Sequence, residues 1–319
     1  MIGEPRADQV VWIDGSFVPW QQATMHVSAH HYGFGVFEGV RVYAGDSGAT
    51  IFRLQDHTKR LLRSARMMKI AIPQAFTCEL LNKAQLELAR RNRFGDAYLR
   101  PFVFLDGISG LRPCSRDLSV HVAIMGVDWK ASAPHRSSGN LAGGVTLKTS
   151  SFTRHPASSL LSKAKANGNY VGGMLALEEA QASGADEALL LDHNGFVTET
   201  SGANLFAVRD GELHTPPLAC VLDGITRDTV LQLAAEAGLR VSERQLARDE
   251  IYVADEVFLT GTASELTPVL RVDGRAIGSG SPGPITERLQ ASYAASVRGR
   301  TQDHREWLTP VSDYQAREV

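Results

Sequence analysis

A stretch rich in serine, glycine, alanine and proline runs from Asp128 to Gly144 (DWKASAPHRSSGNLAGG) without helical or strand periodicity. Domain boundaries tend to fall in segments of this composition. Short strands and helices alternate on both sides of it, and 319 residues are enough for two domains. The sequence therefore predicts a first domain over residues 1–130, a linker over 131–144 and a second domain over 145–319.

Hydrophobic periodicity and cap residues predict the local elements. The apolar, β-branched run from Val36 to Tyr43 predicts one continuous strand. Asp56 and Thr77 are each predicted to cap the N-terminus of a helix in the first half. In the second half, helices are predicted over residues 169–181 and 226–237.

Composition excludes several classes of function. The net charge of −2 argues against binding of nucleic acid as the main activity. No apolar run is long enough to span a membrane, and the N-terminus does not resemble a signal peptide. The three cysteines are odd in number and widely spaced, which is typical of a reducing compartment. We expect a cytoplasmic protein that acts on small molecules.

Common sequence motifs do not account for the chain. The glycines at 33, 35 and 39 approach a dinucleotide-binding pattern, but the third falls one position late and the segment precedes a strand. His26, His30 and His31 could be metal ligands, but no acidic residue lies between His26 and His30 and the H-E-x-x-H motif is absent, so they are interpreted as turn or surface histidines. No metal site is predicted.

Four separated segments place polar groups beside glycine at strand ends or helix starts. One holds Lys163 and Lys165, either of which could attack a carbonyl if its amine were desolvated, and spacing does not choose between them. Glu199 ends a strand and could keep a heterocyclic nitrogen protonated. Residues 224–226 open a helix and residues 261–263 form a turn, both suited to phosphate. Together these groups match pyridoxal 5′-phosphate, which carries an aldehyde, a pyridine nitrogen and a phosphate.

Beyond these separate groups, the chain resembles the branched-chain amino acid aminotransferases, which are fold-type IV pyridoxal-phosphate enzymes. The resemblance runs from about Val11 to Val311, in the order of the family. It implies an α+β fold with a smaller N-terminal α+β domain, a larger C-terminal pseudo-barrel domain and the cofactor between them. The motifs that carry it are HYGFGVFEGVRVY (31–43), HTKRL (57–61), AYLRP (97–101), KANGNY (165–170), TETSGANLF (198–206), GITRD (224–228) and ADEVFLTGTASELTPV (254–269).

The resemblance also implies roles for individual residues. It makes Lys165 the catalytic lysine, which forms a Schiff base with the cofactor, and Glu199 the partner of the pyridine nitrogen. Tyr32 would reach into the site of a neighbouring subunit, which implies a homodimer or a larger assembly built from dimers. The remaining cofactor-binding residues implied are Arg60, Tyr170, Ile225, Thr226 and Thr262, and the substrate-binding residues are Phe37, Gly39, Arg41, Tyr98, Arg100, Thr262 and Ala263.

The implied reaction transfers the amino group of leucine, isoleucine or valine to 2-oxoglutarate. Residues 105–134 follow the family loosely, and Trp129 is the aromatic residue beyond the strand there. An aminotransferase for another L- or D-amino acid in a specialised pathway therefore stays open, as does an aminodeoxychorismate lyase. A non-enzymatic alternative is a catalytically silent binding protein of the same fold. The sequence leaves open the preferred amino donor and whether the pathway is biosynthetic or catabolic.

Overall fold

The computed structural model describes residues 5–30, 33–107, 117–129, 143–219 and 221–312. These residues form two compact units. Unit 1 comprises the described parts of 1–135, 164–168 and 295–319, and unit 2 comprises those of 136–163 and 169–294. No helix in the described ranges is long and apolar enough to cross a membrane. The predicted linker lies almost entirely outside the described residues, so the predicted domain boundaries stay a prediction.

Seventeen strands and six α-helices are described, together with short 3₁₀ turns. In chain order they are β1 (Val10–Ile13), β2 (Ser16–Pro19), β3 (Gly35–Phe37), β4 (Val40–Gly45), β5 (Gly48–Phe52), α1 (Leu54–Met67), α2 (Cys78–Arg91), β6 (Ala97–Asp106), β7 (Ser119–Asp128), β8 (Val145–Thr149), α3 (Val171–Ala182), β9 (Glu187–Leu191), β10 (Val197–Thr200), β11 (Asn204–Arg209), β12 (Glu212–Thr215), α4 (Ile225–Glu236), β13 (Val241–Glu243), α5 (Arg248–Tyr252), β14 (Glu256–Gly261), β15 (Glu265–Val272), β16 (Arg275–Ala276), α6 (Pro284–Val297) and β17 (Leu308–Pro310).

Unit 1 is built on an eight-stranded antiparallel sheet in the order β17-β5-β4-β6-β7-β1-β2, with β3 also paired to β6. Strand β6 alternates strictly between buried and half-buried residues. Four of its five odd-numbered residues, all but Pro101, join a core with Leu61 and Ala65 of α1 and Leu81 and Leu88 of α2. The even-numbered residues, among them Tyr98 and Arg100, occupy the other face of the sheet.

The local predictions in unit 1 hold in part. Thr77 caps α2 as predicted, because its hydroxyl accepts a hydrogen bond from Leu80 N at 3.1 Å. The single strand predicted over Val36 to Tyr43 is wrong, since β3 and β4 are separated at residues 38–39. Asp56 is not the cap of α1, because the helix already begins at Leu54. Asp56 instead lies in the first turn, where a carboxylate is favourable.

Unit 2 contains a six-stranded barrel. The strands follow the order β10-β9-β8-β15-β14-β11, and the pairing of β10 with β11 closes the ring. The closing register joins Glu199 to Asn204. Apolar side chains from the strands, including Leu147, Leu189 and Leu205, form the core of this unit. The predicted helix over 169–181 begins two residues late, because 167–170 form a 3₁₀ turn ahead of α3.

Candidate active site

Lys165 is held through its main chain in unit 1. Its carbonyl accepts a hydrogen bond from Phe37 N at 3.0 Å, and its own N–H donates to the Ser64 hydroxyl at 3.0 Å. A bridge between Ala166 and Val36 continues this contact along β3. The Lys165 amine lies 4.9 Å from the centre of the Phe37 ring. The backbone of the lysine is therefore fixed by a strand and by a helix that are distant in sequence.

The environment of Lys165 favours the neutral amine. Burial of the ammonium is the largest cause, and the nearby Arg60 guanidinium acts in the same direction, so that the pKa falls to about 8. Glu38 and Tyr98 oppose the fall, whereas Arg100 adds to it. An amine with this pKa is partly unprotonated near neutral pH, which both a nucleophile and a general base require.

Arg60 does not stand alone. Its Nε and Nη2 donate to the two oxygens of Glu38 at 2.6 and 2.8 Å, and His57 Nδ1 lies 2.8 Å from the same carboxylate. Glu38 is fully buried. Burial alone would raise the pKa of Glu38, but Arg60 and His57 outweigh it and hold that pKa below its usual range. Burial also lowers the pKa of His57, so the neutral ring donates through Nδ1–H.

The break between β3 and β4 brings Gly39 against Tyr98. A Cβ on Gly39 would lie 1.7 Å from the Tyr98 hydroxyl, so no larger residue fits without displacing that ring. The same hydroxyl accepts a hydrogen bond from Arg100 Nη2 at 3.3 Å, and the Arg100 guanidinium lies 4.7 Å from the centre of the Phe37 ring. Four of the predicted substrate residues thus lie together in unit 1.

Gly39→Ala is expected to lower kcat/KM by about 10²-fold. The added methyl group would displace the Tyr98 ring by about 1 Å, and a substrate that contacts this ring would then be misplaced. Steady-state kinetics and thermal melting of the purified variant measure the effect. Gly95→Ala is the matched control, because its added Cβ would meet only Ala44 Cβ at 3.9 Å. Equal loss in both variants would contradict a specific role for the close approach at Gly39.

Arg41 is one of the buried members of the predicted substrate set. Its side chain is 2% exposed, and its guanidinium lies 3.8 Å from the Trp129 ring centre and 4.5 Å from that of Tyr43. Trp129 in turn stacks on Tyr98 with ring centroids 5.9 Å apart. Trp129, from the segment that follows the family loosely, therefore belongs to this cluster, although sequence reasoning gave it no role.

Unit 2 contains a second cluster, centred on Glu199. Its Oε1 lies 2.8 Å from Arg154 Nε, and its Oε2 accepts hydrogen bonds from Asn204 Nδ2 at 3.2 Å and Leu222 N at 3.3 Å. The carboxylate is buried, and a buried charge needs such partners to stay ionised. His155 accepts from Arg154 Nη1 at 3.2 Å. Burial lowers the pKa of His155 to about 4, so its ring is neutral and able to accept.

The two segments of unit 2 that are predicted to bind phosphate lie at the start of a helix and in a turn. Gly224 is the N-cap of α4, and Ile225 and Thr226 are its first two residues, both buried. The first N–H groups of a helix have no intrahelical acceptor and carry partial positive charge. Thr262 and Ala263 lie in the turn between β14 and β15, half-buried. These groups are able to bind an anion.

Gly224→Ala is expected to weaken cofactor binding by about tenfold, equivalent to losing about one good hydrogen bond. The reason is that an added Cβ would lie 2.0 Å from Asn204 Oδ1, so the start of α4 or the Asn204 amide must move. Spectroscopic titration with pyridoxal 5′-phosphate measures the change. Gly172→Ala is the control, since its Cβ would meet nothing within 4 Å. Unchanged affinity in the Gly224 variant would contradict this prediction.

The remaining predicted residues are placed as follows. Tyr170 ends the 3₁₀ turn before α3 in unit 2 and is half-buried. Lys163, the alternative lysine, forms an ion pair with Asp223 at 2.5 Å and is about one third exposed. Tyr32 lies outside the described residues. No group of histidine, cysteine or acidic side chains suited to a metal ion occurs in the described part of the chain.

Comparison with known proteins identifies the family. The model of the family described as amino-transferase class IV matches residues 35–272. The chain belongs to this class IV aminotransferase family. The branched-chain-amino-acid aminotransferase of Pseudomonas aeruginosa is 47% identical over 306 residues, which cover 95% of this chain and 98% of the relative. Its Escherichia coli K12 counterpart is 38% identical, covering 95% and 97%.

A solved structure agrees with this family. The branched-chain amino acid aminotransferase from Thermobaculum terrenum, crystallised in its PLP-form, matches with a TM-score of 0.87 and 36% identity. The match covers 96% of this chain and 99% of that one. The predicted α+β architecture of fold-type IV, with its C-terminal barrel, is therefore confirmed.

Sequence reasoning missed the residues that support the predicted ones. Glu38, His57 and Asn204 lie inside the family motifs, and Ser64 and Arg154 lie outside them, but the sequence assigns a role to none of these five residues. One sequence signal was present, because Glu38 is the carboxylate in a strand pattern that is apolar apart from Glu38 and Arg41. A charge in such a position needs a buried partner.

Proposed function

We propose that this class IV aminotransferase moves the amino group of leucine, isoleucine or valine to 2-oxoglutarate with pyridoxal 5′-phosphate as cofactor. Two lines of support meet. Two relatives that match nearly the whole chain at 47% and 38% identity are named as branched-chain-amino-acid aminotransferases. The observation that carries the chemistry is the half-buried Lys165, whose main chain is held by Phe37 and Ser64 and whose amine has a pKa of about 8, which suits both carbonyl attack and proton transfer.

The residues present fit the chemical parts of the cofactor. The Lys165 amine suits an aldehyde, and the buried, ion-paired Glu199 carboxylate suits a protonated pyridine nitrogen. The start of α4 and the turn at 262–263 offer main-chain N–H groups for the phosphate, and Arg60 adds a guanidinium. We assign Tyr170 to the ring hydroxyl. When bound, the cofactor supplies an acceptor for the amino group and an electron sink.

Each assigned residue then has a physical task. Lys165 Nζ would act first as a general base that removes the proton from the α-carbon of the substrate. It would then act as a general acid that donates this proton to the carbon of the cofactor that carries the transferred amino group. Glu199 keeps the ring nitrogen protonated, because its own charge is stabilised by Arg154, Asn204 and Leu222 N. The residues assigned to the phosphate would restrict motion of the cofactor ring while the amino group is transferred.

The substrate side chain meets aromatic and apolar surface. Phe37, Tyr98 and Trp129 line the cluster around Gly39, which suits a branched aliphatic side chain. Arg100, whose side chain is half-buried, is a better candidate for the second carboxylate of 2-oxoglutarate than the enclosed Arg41. Tyr98, Thr262 and Ala263 are assigned to the α-carboxylate. Because an apolar pocket discriminates by about 1–3 kcal/mol per methylene, we expect relaxed specificity.

We also propose a cytoplasmic homodimer in which Tyr32 contributes to the site of the neighbouring subunit. The family resemblance supports the dimer, and the odd, widely spaced cysteines support the reducing compartment. Sedimentation analysis of the purified chain tests the assembly. Complementation between a Tyr32 variant and a Lys165 variant tests the sharing, because mixed dimers would regain one intact site.

A panel of amino donors with 2-oxoglutarate tests the proposed function, with both enantiomers of each amino acid included. We expect the highest kcat/KM for the L-forms of leucine, isoleucine and valine. The purified protein should be yellow and should lose its visible band on borohydride reduction, with the cofactor then attached to Lys165. Preference for D-amino acids, or pyruvate release from aminodeoxychorismate, would replace this function by another. A chain that stays colourless with added cofactor would be a silent binding protein.

A further inference from the structure

We propose that Glu38 is a positioning residue of the site, whose buried carboxylate fixes the Arg60 guanidinium and offsets the positive charges around the Lys165 amine. This inference rests on the proposed roles of Arg60 and Lys165, but its test is separate from theirs. The carboxylate lies at the break between β3 and β4 and accepts from three side-chain donors. Its Oε2 also lies 3.3 Å from Gly39 N.

The first part of the inference concerns the orientation of Arg60. Two of its nitrogens, Nε and Nη2, are engaged by the two oxygens of one carboxylate at 2.6 and 2.8 Å. A bidentate contact of this kind fixes the plane of the guanidinium as well as its position. Both side chains are at least 95% buried, so water offers little substitute for the carboxylate. Without Glu38, Arg60 would keep its charge but lose the partner that sets its direction.

The second part concerns the charge around Lys165. Glu38 directly follows Phe37, whose N–H donates to the Lys165 carbonyl and whose ring centre lies 4.9 Å from the Lys165 amine. The groups of unit 1 that act electrostatically on this amine come from three elements. Glu38 comes from the β3–β4 break, Arg60 from α1, and Tyr98 and Arg100 from β6. His57, also on α1, stays neutral because burial lowers its pKa. Glu38 is thus the negative charge in a group that otherwise contains two guanidiniums.

The sign of the effect follows from this charge balance. An opposite charge nearby favours the ammonium, and like charges disfavour it. Glu38 therefore opposes the fall in the pKa of Lys165 that burial and Arg60 cause. Removing the carboxylate should lower that pKa further, which leaves the amine unprotonated at neutral pH but a weaker base. The Glu38 carboxylate therefore keeps the Lys165 amine basic enough to remove a proton from the substrate.

The experiment measures the Lys165 amine in the full-length chain freed of cofactor. Acetic anhydride is reacted in competition with a reference amine across a pH series, and peptide mass spectrometry follows acetylation of Lys165. The midpoint is the pH at which acetylation of Lys165 reaches half of its maximum rate, and for the wild type it is expected near pH 8. In Glu38→Gln we expect the midpoint to fall by about 1 unit or more, the size of a close charge effect. The dissociation constant for pyridoxal 5′-phosphate should rise by about tenfold.

Two variants separate this role from a merely structural one. Glu38→Asp keeps the charge and shortens the reach, so the midpoint should stay within about 0.5 unit of wild type while cofactor affinity falls. Glu87→Gln is the matched control, because Glu87 is also a buried carboxylate of unit 1, paired with Arg90 and Arg91. It should lower the melting temperature without moving the midpoint. A wild-type midpoint with Glu38→Gln would overturn the inference.

A further comparison covers the outcome in which Glu38→Gln does not fold. The double variant Glu38→Gln/Arg60→Gln buries a neutral pair of similar size and avoids an uncompensated guanidinium. Its Lys165 midpoint should lie below that of Arg60→Gln alone, and equal midpoints would contradict the inference. A wild-type midpoint near the ordinary value of lysine would instead count against the role of Lys165 in the proposed function.

Discussion

Replacing Lys165 by alanine is expected to lower kcat for transamination by about 10⁴-fold or more, the upper range for loss of a general acid–base group. The substitution removes the Lys165 amine, whose pKa is held near 8 by desolvation and by the neighbouring Arg60. Single-turnover mixing with L-leucine, followed by the absorbance of the cofactor, measures the proton-transfer step directly.

Lys163→Ala is the control for this prediction, because the two lysines could not be separated by spacing. Lys163 is tied to Asp223 and to the carbonyl of Val221 at 3.2 Å, which is a structural contact. The Lys163 variant should keep cofactor attachment after borohydride reduction, and the Lys165 variant should lose it. If attachment disappeared in the Lys163 variant and persisted in the other, the assignment of the catalytic lysine would be reversed.

Glu199→Gln is expected to lower kcat by about 10²–10³-fold while changing cofactor affinity little, the size of effect seen on loss of one preorganised electrostatic partner. An amide cannot hold a proton on a ring nitrogen as a carboxylate does, and it leaves Arg154 without its counter-charge at 2.8 Å. The pH dependence of the cofactor spectrum in the variant reports the loss of ring protonation, in addition to the rate.

The control for Glu199 is Glu256→Gln. Glu256 is also a buried carboxylate of unit 2, and it accepts hydrogen bonds from Ile285 N and Thr286 N at the start of α6. Its loss should lower thermal stability by about 1–3 kcal/mol, the cost of leaving buried donors unsatisfied. Turnover of the folded fraction should not change. A Glu199 variant with full turnover would show that this carboxylate does not act on the cofactor.

Local sequence chemistry predicted much of the fold. Asp-Gly between two strand-forming segments predicts a hairpin, and the turns at Asp14-Gly15 and Asp210-Gly211 do close the hairpins β1–β2 and β11–β12. Thr77 caps its helix for the reason that made it predictable, a hydroxyl within reach of a free N–H. Periodicity failed at Val36 to Tyr43, because the break at 38–39 depends on contacts with Pro101 and α1. Those partners are remote in sequence.

The amino-acid sequence by itself determined the family, the fold class and the chemical groups available, since short motifs and local propensity carry that information. Only the tertiary structure decided how those groups are paired. Glu38 meets Arg60 and His57, and Glu199 meets Arg154 and Asn204, through strands and helices that folding brings together. The physical reason is that charge and burial act through space, so the pKa of Lys165 depends on neighbours that its own segment does not contain.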